Sequence, residues 1–240
     1  MWDRPYALIW LANLLTMVAL GLFLYAALWF VAHSPWFPLR TVDVKGKLTH
    51  VTQQQLEYVV QNEFKGTFFT LKVAAIRDAF SKLPWVKQVT VYRRWPDKVE
   101  VILEEYQLLA RWGESGLIDS KGIRFEAASN EILPVLEGPE GSEQEMAEAY
   151  IRFKHILAQI GKVPTHIWLS PRRAWKIELD KDMIVEIGRD DVDERLTRFT
   201  NVYAYSLAKL DRQKVKYVDL RYANGFAVRL PHYQPTSKET

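Results

Sequence analysis

Between residues 5 and 39 the chain carries no Asp, Glu, Lys or Arg. Residues 7–32 form its apolar heart, with Asn13 and Thr16 as the polar interruptions. A helix of that length rises about 39 Å, more than the ~30 Å hydrocarbon core of a bilayer. Trp2, Tyr6 and Trp10 stand at one end, and Tyr25, Trp29 and Trp36 at the other. Such paired belts suit two membrane–water interfaces. Two blander readings compete. A secretory signal has an apolar region of about 7–15 residues behind a basic start, whereas this stretch is longer and Arg4 is offset by Asp3. A buried core helix of such length without a charge is rare. The stretch reads as a single uncleaved anchor.

Nearly all of the 32 basic and 29 acidic residues follow Leu39, and mean hydropathy over the 240 residues is −0.17. A polytopic membrane protein is excluded, and the rest has the composition of a globular ectodomain. The formal charge of +3 is too balanced for the concentrated basic face that nucleic acid requires. Without cysteine there are no disulfides, thiolate metal sites or thiol nucleophiles. Arg4 precedes the anchor, while Arg40, Lys45 and Lys47 follow it. Counted naively, this favours a cytoplasmic bulk. Long domains translocate largely regardless of charge, so the charge pattern leaves orientation open.

Residues 40–45 alternate as a short half-buried strand. Thr52 with Gln55 makes a capping box and starts a helix. A second helix is expected over 71–83, closed by Pro84. Val89 and Val91, a Trp95-Pro96-Asp97 turn, and Val99, Val101 and Leu103 then give a hairpin. The unit is strand, helix, helix, strand, strand: one helical layer on a three-stranded sheet. After Tyr106 come short strands at 108–112, 117–119 and 122–125. Ser142 with Glu145 makes a second capping box, opening a helix that Gly161 closes. Strands at 165–169, 174–179 and 183–187 follow. Asp191 caps a third long helix with Leu196, Phe199, Tyr203, Leu207 and Leu210 on one face. Residues 215–222, Asn224-Gly225 and 226–230 form a final hairpin. Residues 232–240 read as a tail.

No catalytic constellation accompanies these elements. None of the five histidines pairs with a ligand at metal spacing on a helix, and phosphate-loop and nucleophile-elbow patterns are missing. Glu104 and Glu105 point to opposite faces of a strand and read as a solvated edge. Arg93-Arg94 and Arg172-Arg173 read first as solvated strand ends or turns. The last hairpin is the most informative site, because an edge strand can accept a strand from another chain. Phe226, Val228 and Leu230 would then supply alternating side chains. Periodicity alone favours the plainer reading, in which they fill the core.

The segment LPWVKQVTVYRRWPDKVEVILEE (83–105) resembles the end of a POTRA domain of the FtsQ/DivIB cell-division family. LARWGESGLIDSKGIRF (109–125) is similar to the start of that family's β-rich second domain. LPVLEGPEGSEQ, PRRAWKIEL, IVEIGRDD and YVDLRYANGFAVRL follow in the family's order. Gln107 departs from the pattern, since many relatives carry Pro there. The short N-terminal arm and tail look like the Gram-negative type.

The resemblance implies an α+β chain. Residues 1–6 would be a short cytoplasmic segment, 7–32 a transmembrane helix, 39–106 the POTRA domain, 107–231 the β domain with two long helices, and 232–240 a flexible tail. It implies a single-pass inner-membrane protein at the division septum, with its bulk in the periplasm. It also implies no enzymatic activity and no cofactor or metal. The implied partners are FtsB and FtsL, in a complex that helps recruit and regulate septal peptidoglycan synthesis. FtsB would add a strand at Tyr222, Asn224, Gly225, Phe226, Val228 and Leu230, with Arg172 and Arg173 facing its acidic groups. A POTRA-bearing component of polypeptide transport is the alternative. A periplasmic hydrolase is disfavoured for want of a nucleophile–base pair.

Overall fold

A computed structural model of the chain describes residues 5–33, 38–180, 183–203, 205, 215–222 and 225–229. The uncharged stretch folds as one helix, α1 (Pro5–His33). Residues 9–31 are exposed on every side. A helix apolar all round and covered by nothing suits hydrocarbon rather than water. Its spanning portion, Ile9–Val31, has 23 residues, about 35 Å. The Thr16 hydroxyl is satisfied internally, donating to the Ala12 carbonyl at 2.8 Å.

Beyond α1 the chain forms two compact units that meet in sequence at Glu105 and Tyr106. In the first, β1 (Thr41–Lys45), α2 (Gln53–Glu63), α3 (Val73–Ser81), β2 (Val86–Arg94) and β3 (Lys98–Glu105) follow the expected order. The sheet runs β1-β3-β2, with β1 parallel and β2 antiparallel to β3. Alternation along β3 buries Val99, Val101 and Leu103, and Ile76 and Phe80 of α3 are buried as well. Thr52 and Gln55 form the expected reciprocal cap. Helix α3 is shorter than periodicity suggests: Lys72 is its N-cap, and at its end the Leu83 amide bonds only three residues back, to Phe80, in a tightened turn.

Glu105 is not the solvated carboxylate expected of a strand edge. It accepts backbone N–H bonds from Thr49 at 2.9 Å, His50 at 3.1 Å and Val51 at 2.8 Å. It thereby ties the β1–α2 loop to the end of β3. Burial by itself would push its carboxyl up, but the three amides together outweigh burial and hold it below the ordinary range. With a folded value below the unfolded one, its contribution is complete above about pH 4.3 and is lost as pH falls through the folded value. Glu105→Gln should lower stability near neutrality by about 1–3 kcal/mol. It should also shrink the further loss on acidification, as measured by thermal melts of the full chain near neutrality and again well below about pH 4.3.

The second unit contains β4 (Leu108–Trp112), β5 (Gly116–Asp119), β6 (Arg124–Phe125), β7 (Val135–Glu137), α4 (Glu143–Ala158), β8 (Pro164–Leu169), β9 (Trp175–Leu179), β10 (Met183–Gly188), α5 (Val192–Val202), β11 (Tyr217–Asp219) and β12 (Ala227–Arg229). Its nine-stranded sheet is ordered β12-β11-β10-β9-β8-β7-β4-β5-β6. Parallel neighbours require a crossover, and α4 supplies it between β7 and β8, as α5 does between β10 and β11. Both helices cover one face, where Met146, Phe153, Leu157, Leu196 and Phe199 meet Ile167, Ile177, Val185 and Val218.

Two expected caps differ in detail. The Ser142 hydroxyl donates to the Pro139 carbonyl at 2.6 Å and makes no cap bond. Asp191 stands at the α5 N-cap position in a left-handed conformation, again with no side-chain cap. Leu207 and Leu210, expected on the same helix, lie outside the described residues.

Candidate functional site

Among the described residues, β12 pairs with β11 alone and forms one end of the sheet. The antiparallel register sets Tyr217 opposite Arg229, Val218 opposite Val228, and Asp219 opposite Ala227. Alternation turns Val228 toward the core and leaves Ala227 and Arg229 exposed. Phe226 also turns inward and meets Phe199 edge-on, 6.4 Å between centroids. These two side chains therefore act chiefly as supports. What the edge offers outward is its backbone, the Arg229 side chain, whose guanidinium lies 5.5 Å from the Tyr217 ring, and Tyr222, which is 58% exposed. Gly225 is half-buried. Asn224 and Leu230 lie outside the described residues.

The turn at Asn224-Gly225 falls partly outside the described residues, but the register of the described pairs is not the one a two-residue turn there would set. Among the described residues the ladder runs from the Tyr217–Arg229 pair to the Asp219–Ala227 pair. The diversion has a physical cause. Asp219 accepts the Arg221 amide at 3.0 Å, its Nε at 2.9 Å and an Nη2 contact at 2.6 Å. This bond to Arg221 holds the Asp219 carboxyl below its usual range despite burial. The Leu220 amide meanwhile continues the sheet by donating to Glu186 at 2.8 Å. Arg198 on α5 then donates to the Tyr222 carbonyl at 3.1 Å. Three charged residues thus shape the approach to Tyr222. No sequence pattern marked them, since each bond depends on the folded turn or on α5.

Arg172 and Arg173 sit in the tight β8–β9 loop. Ser170 and Ala174 close it with a backbone bond of 2.9 Å, and the Arg173 amide donates to Ser170 at 2.9 Å. Arg173 is left-handed, with φ 62°, a region that side chains seldom occupy. Its guanidinium pairs with Glu145 of α4. Arg172 is exposed. Because Trp175 is opposite Gly188 and Glu186 is opposite Asp219, this loop and the start of β12 share one end of the sheet. Three strand spacings separate β9 from β12, about 14 Å.

The face of the sheet away from α4 and α5 carries Glu137, His166, Trp168 and Lys176. His166 stacks on Trp168 at 3.7 Å, and the Lys176 ammonium lies 4.2 Å from the Trp168 ring. His166 Nε2 is 3.0 Å from the Glu137 carboxylate. Among the described residues, no cluster of three or more His, Asp or Glu is placed to hold a metal.

Residues 37–106 match the family described as "POTRA domain, FtsQ-type". Residues 110–221 match "Cell division protein FtsQ/DivIB, C-terminal". A protein of Nitrosospira multiformis named "Cell division protein FtsQ" is 38% identical over 234 residues, covering 95% of this chain and 99% of its own length. One of the same name from Neisseria gonorrhoeae is 34% identical and covers 95% of both chains. The Escherichia coli protein of that name is 37% identical over 170 residues, 68% of this chain and 62% of its own. The two family models cover residues 37–106 and 110–221, stopping short of Tyr222 and β12, and a helix fit to span a membrane precedes them. The chain belongs to the FtsQ/DivIB family of cell division proteins.

Proposed function

We propose that the chain is a single-pass inner-membrane scaffold of the divisome, with a periplasmic bulk. It captures FtsB, and with it FtsL, by adding an FtsB strand to β12, and so helps recruit and regulate septal peptidoglycan synthesis. One observation carries the reading: among the described residues β12 has a partner on one side only, and Tyr222 is exposed beside it. Membership of a cell-division family supports the setting, and α1 supports the anchor. In this reading the chain works by binding and carries out no reaction.

Main-chain bonds along an added strand fix register but contribute only about 0.5–1.5 kcal/mol each. Selectivity must come from side chains, and Tyr and Arg anchors are the usual ones. Tyr222 fills the first role. Arg172, exposed and at the same end of the sheet, fills the second, while Arg173 is engaged by Glu145. Asn224, Gly225, Phe226, Val228 and Leu230 complete the proposed edge. Phe226 and Val228 support it from the core side.

Co-purification of the full chain with FtsB from co-expressing cells tests the reading. Retention through a salt wash is expected, and failure to recover FtsB would remove the edge-capture proposal. Arg172→Glu should weaken the complex about fivefold, the scale of a solvent-accessible charge pair. The effect should fade in high salt. Arg173→Glu is less informative, because it places a second carboxylate beside Glu145.

A further inference from the structure

The turn between β2 and β3 carries an aromatic side chain that the core does not use. Trp95 is 76% exposed, more than Trp10 at 71% or Trp29 at 56% on α1 itself. Trp85, the other tryptophan of this unit's globular part, is buried and stacked on His50. The Trp95 turn is fastened to the chain just beyond α1. The Arg40 and Thr41 amides both donate to the Asp97 carbonyl, at 3.0 and 3.4 Å. From His33, where α1 ends, to Arg40 the chain reaches at most about 25 Å. The turn is therefore tethered within that distance of the end of the apolar helix.

Charges around the turn are sorted by exposure. The Arg40 and Arg94 side chains are 74% and 66% exposed. Lys98 is exposed as well. Their acidic neighbours are withdrawn: Asp97 is 26% exposed and Glu100 14%. Glu100 accepts from Arg94 at 2.9 Å and from Lys45 at 2.7 Å. What the turn presents outward is one indole ringed by cations. That combination is suited to the membrane–water interface, where tryptophan settles at headgroup depth and Arg or Lys meets lipid phosphates.

We infer that the β2–β3 turn docks on the bilayer, with Trp95 inserted among the headgroups and Arg40, Arg94 and Lys98 on lipid phosphates. The inference rests on the reading of α1 as a membrane anchor. It makes the first unit a second, peripheral point of attachment, which fixes the orientation in which that unit leaves the membrane. A linker alone would leave that orientation open.

The test uses the full chain in nanodiscs of phosphatidylcholine with phosphatidylglycerol, and in discs of phosphatidylcholine alone. A photoreactive benzoylphenylalanine replaces Trp95, Phe23 or Tyr58 in separate preparations. Phe23 is 70% exposed on α1 and Tyr58 is 70% exposed on α2. Mass spectrometry after irradiation is expected to find lipid adducts at 23 and at 95, at least fivefold fewer at 58, and a weaker yield at 95 without the anionic lipid. Adducts at 23 with none at 95 would overturn the docking and leave the anchor standing. No adducts at 23 would take down the anchor and the docking together. Equal yields at 95 and 58, or protein adducts in place of lipid at 95, would also overturn the docking.

Discussion

Tyr222→Ala should weaken binding of an FtsB segment by at least about 2 kcal/mol, roughly thirtyfold. The folded chain should hardly register the change. The ring is 58% exposed, and truncations at such positions usually alter stability by less than about 0.5 kcal/mol. The bond that Arg198 makes nearby goes to the Tyr222 carbonyl, not to its ring, so the turn keeps its tie in the variant. Isothermal titration calorimetry on the full chain in detergent gives the affinity. Urea unfolding of the same preparation checks the fold. An unchanged affinity would eliminate Tyr222 as an anchor. Phe226→Ala is a less clean companion, because Phe226 packs edge-on against Phe199 and its loss combines binding with support.

The second large effect is on stability. Phe199 is fully buried on α5, touching Tyr203 and Phe226. Phe199→Ala should cost about 3–5 kcal/mol through lost transfer energy and the cavity left behind. Domains are stable by only about 5–15 kcal/mol, so the second unit should melt many degrees earlier. Near-ultraviolet circular dichroism during a urea titration would show the lowered midpoint. The two variants should separate cleanly. Tyr222→Ala loses affinity with its unfolding curve unchanged. Phe199→Ala shifts the curve, and its binding falls at whatever temperature the second unit loosens. An unshifted midpoint for Phe199→Ala would mean that α5 contributes little to holding the edge.

Local patterns were legible where local forces decide. The alternation of Val99, Val101 and Leu103 and the Thr52–Gln55 cap are read within a few residues, and both are present. Features decided across the fold were not legible. Strand β7 has three residues and owes its state to the flanking strands β4 and β8. Ser142 and Glu145 look like a capping box, but a nearby carbonyl takes the hydroxyl and Arg173 takes the carboxylate. Glu105 looked solvated because its three amide partners lie more than fifty residues earlier. At the candidate site, the last hairpin was recognisable from its apolar runs and Asn224-Gly225. Its register was not, because Asp219 turns back onto Arg221 before that pair is reached. Periodicity favours a core-facing Phe226 and Val228, and both do turn inward, but it could not show that Tyr222 is left exposed beside them.

The parallel pairing of β10 with β11 has a consequence for the order of events during biogenesis. A hairpin edge can form from neighbouring residues alone, but β11 reaches its place only after the chain has passed through α5 and returned. β12 joins only through β11. Non-local closures of this kind come late because loop entropy is spent before contacts repay it. The strand template at this end of the sheet therefore forms only after α5 has made its crossover. Until β11 and β12 are in place the free edge at this end is β10, which lacks Tyr222 and Arg229. Under the proposed function a partner strand would meet its proper edge only once α5 has crossed over, and assembly there would double as a check on completion of the β unit.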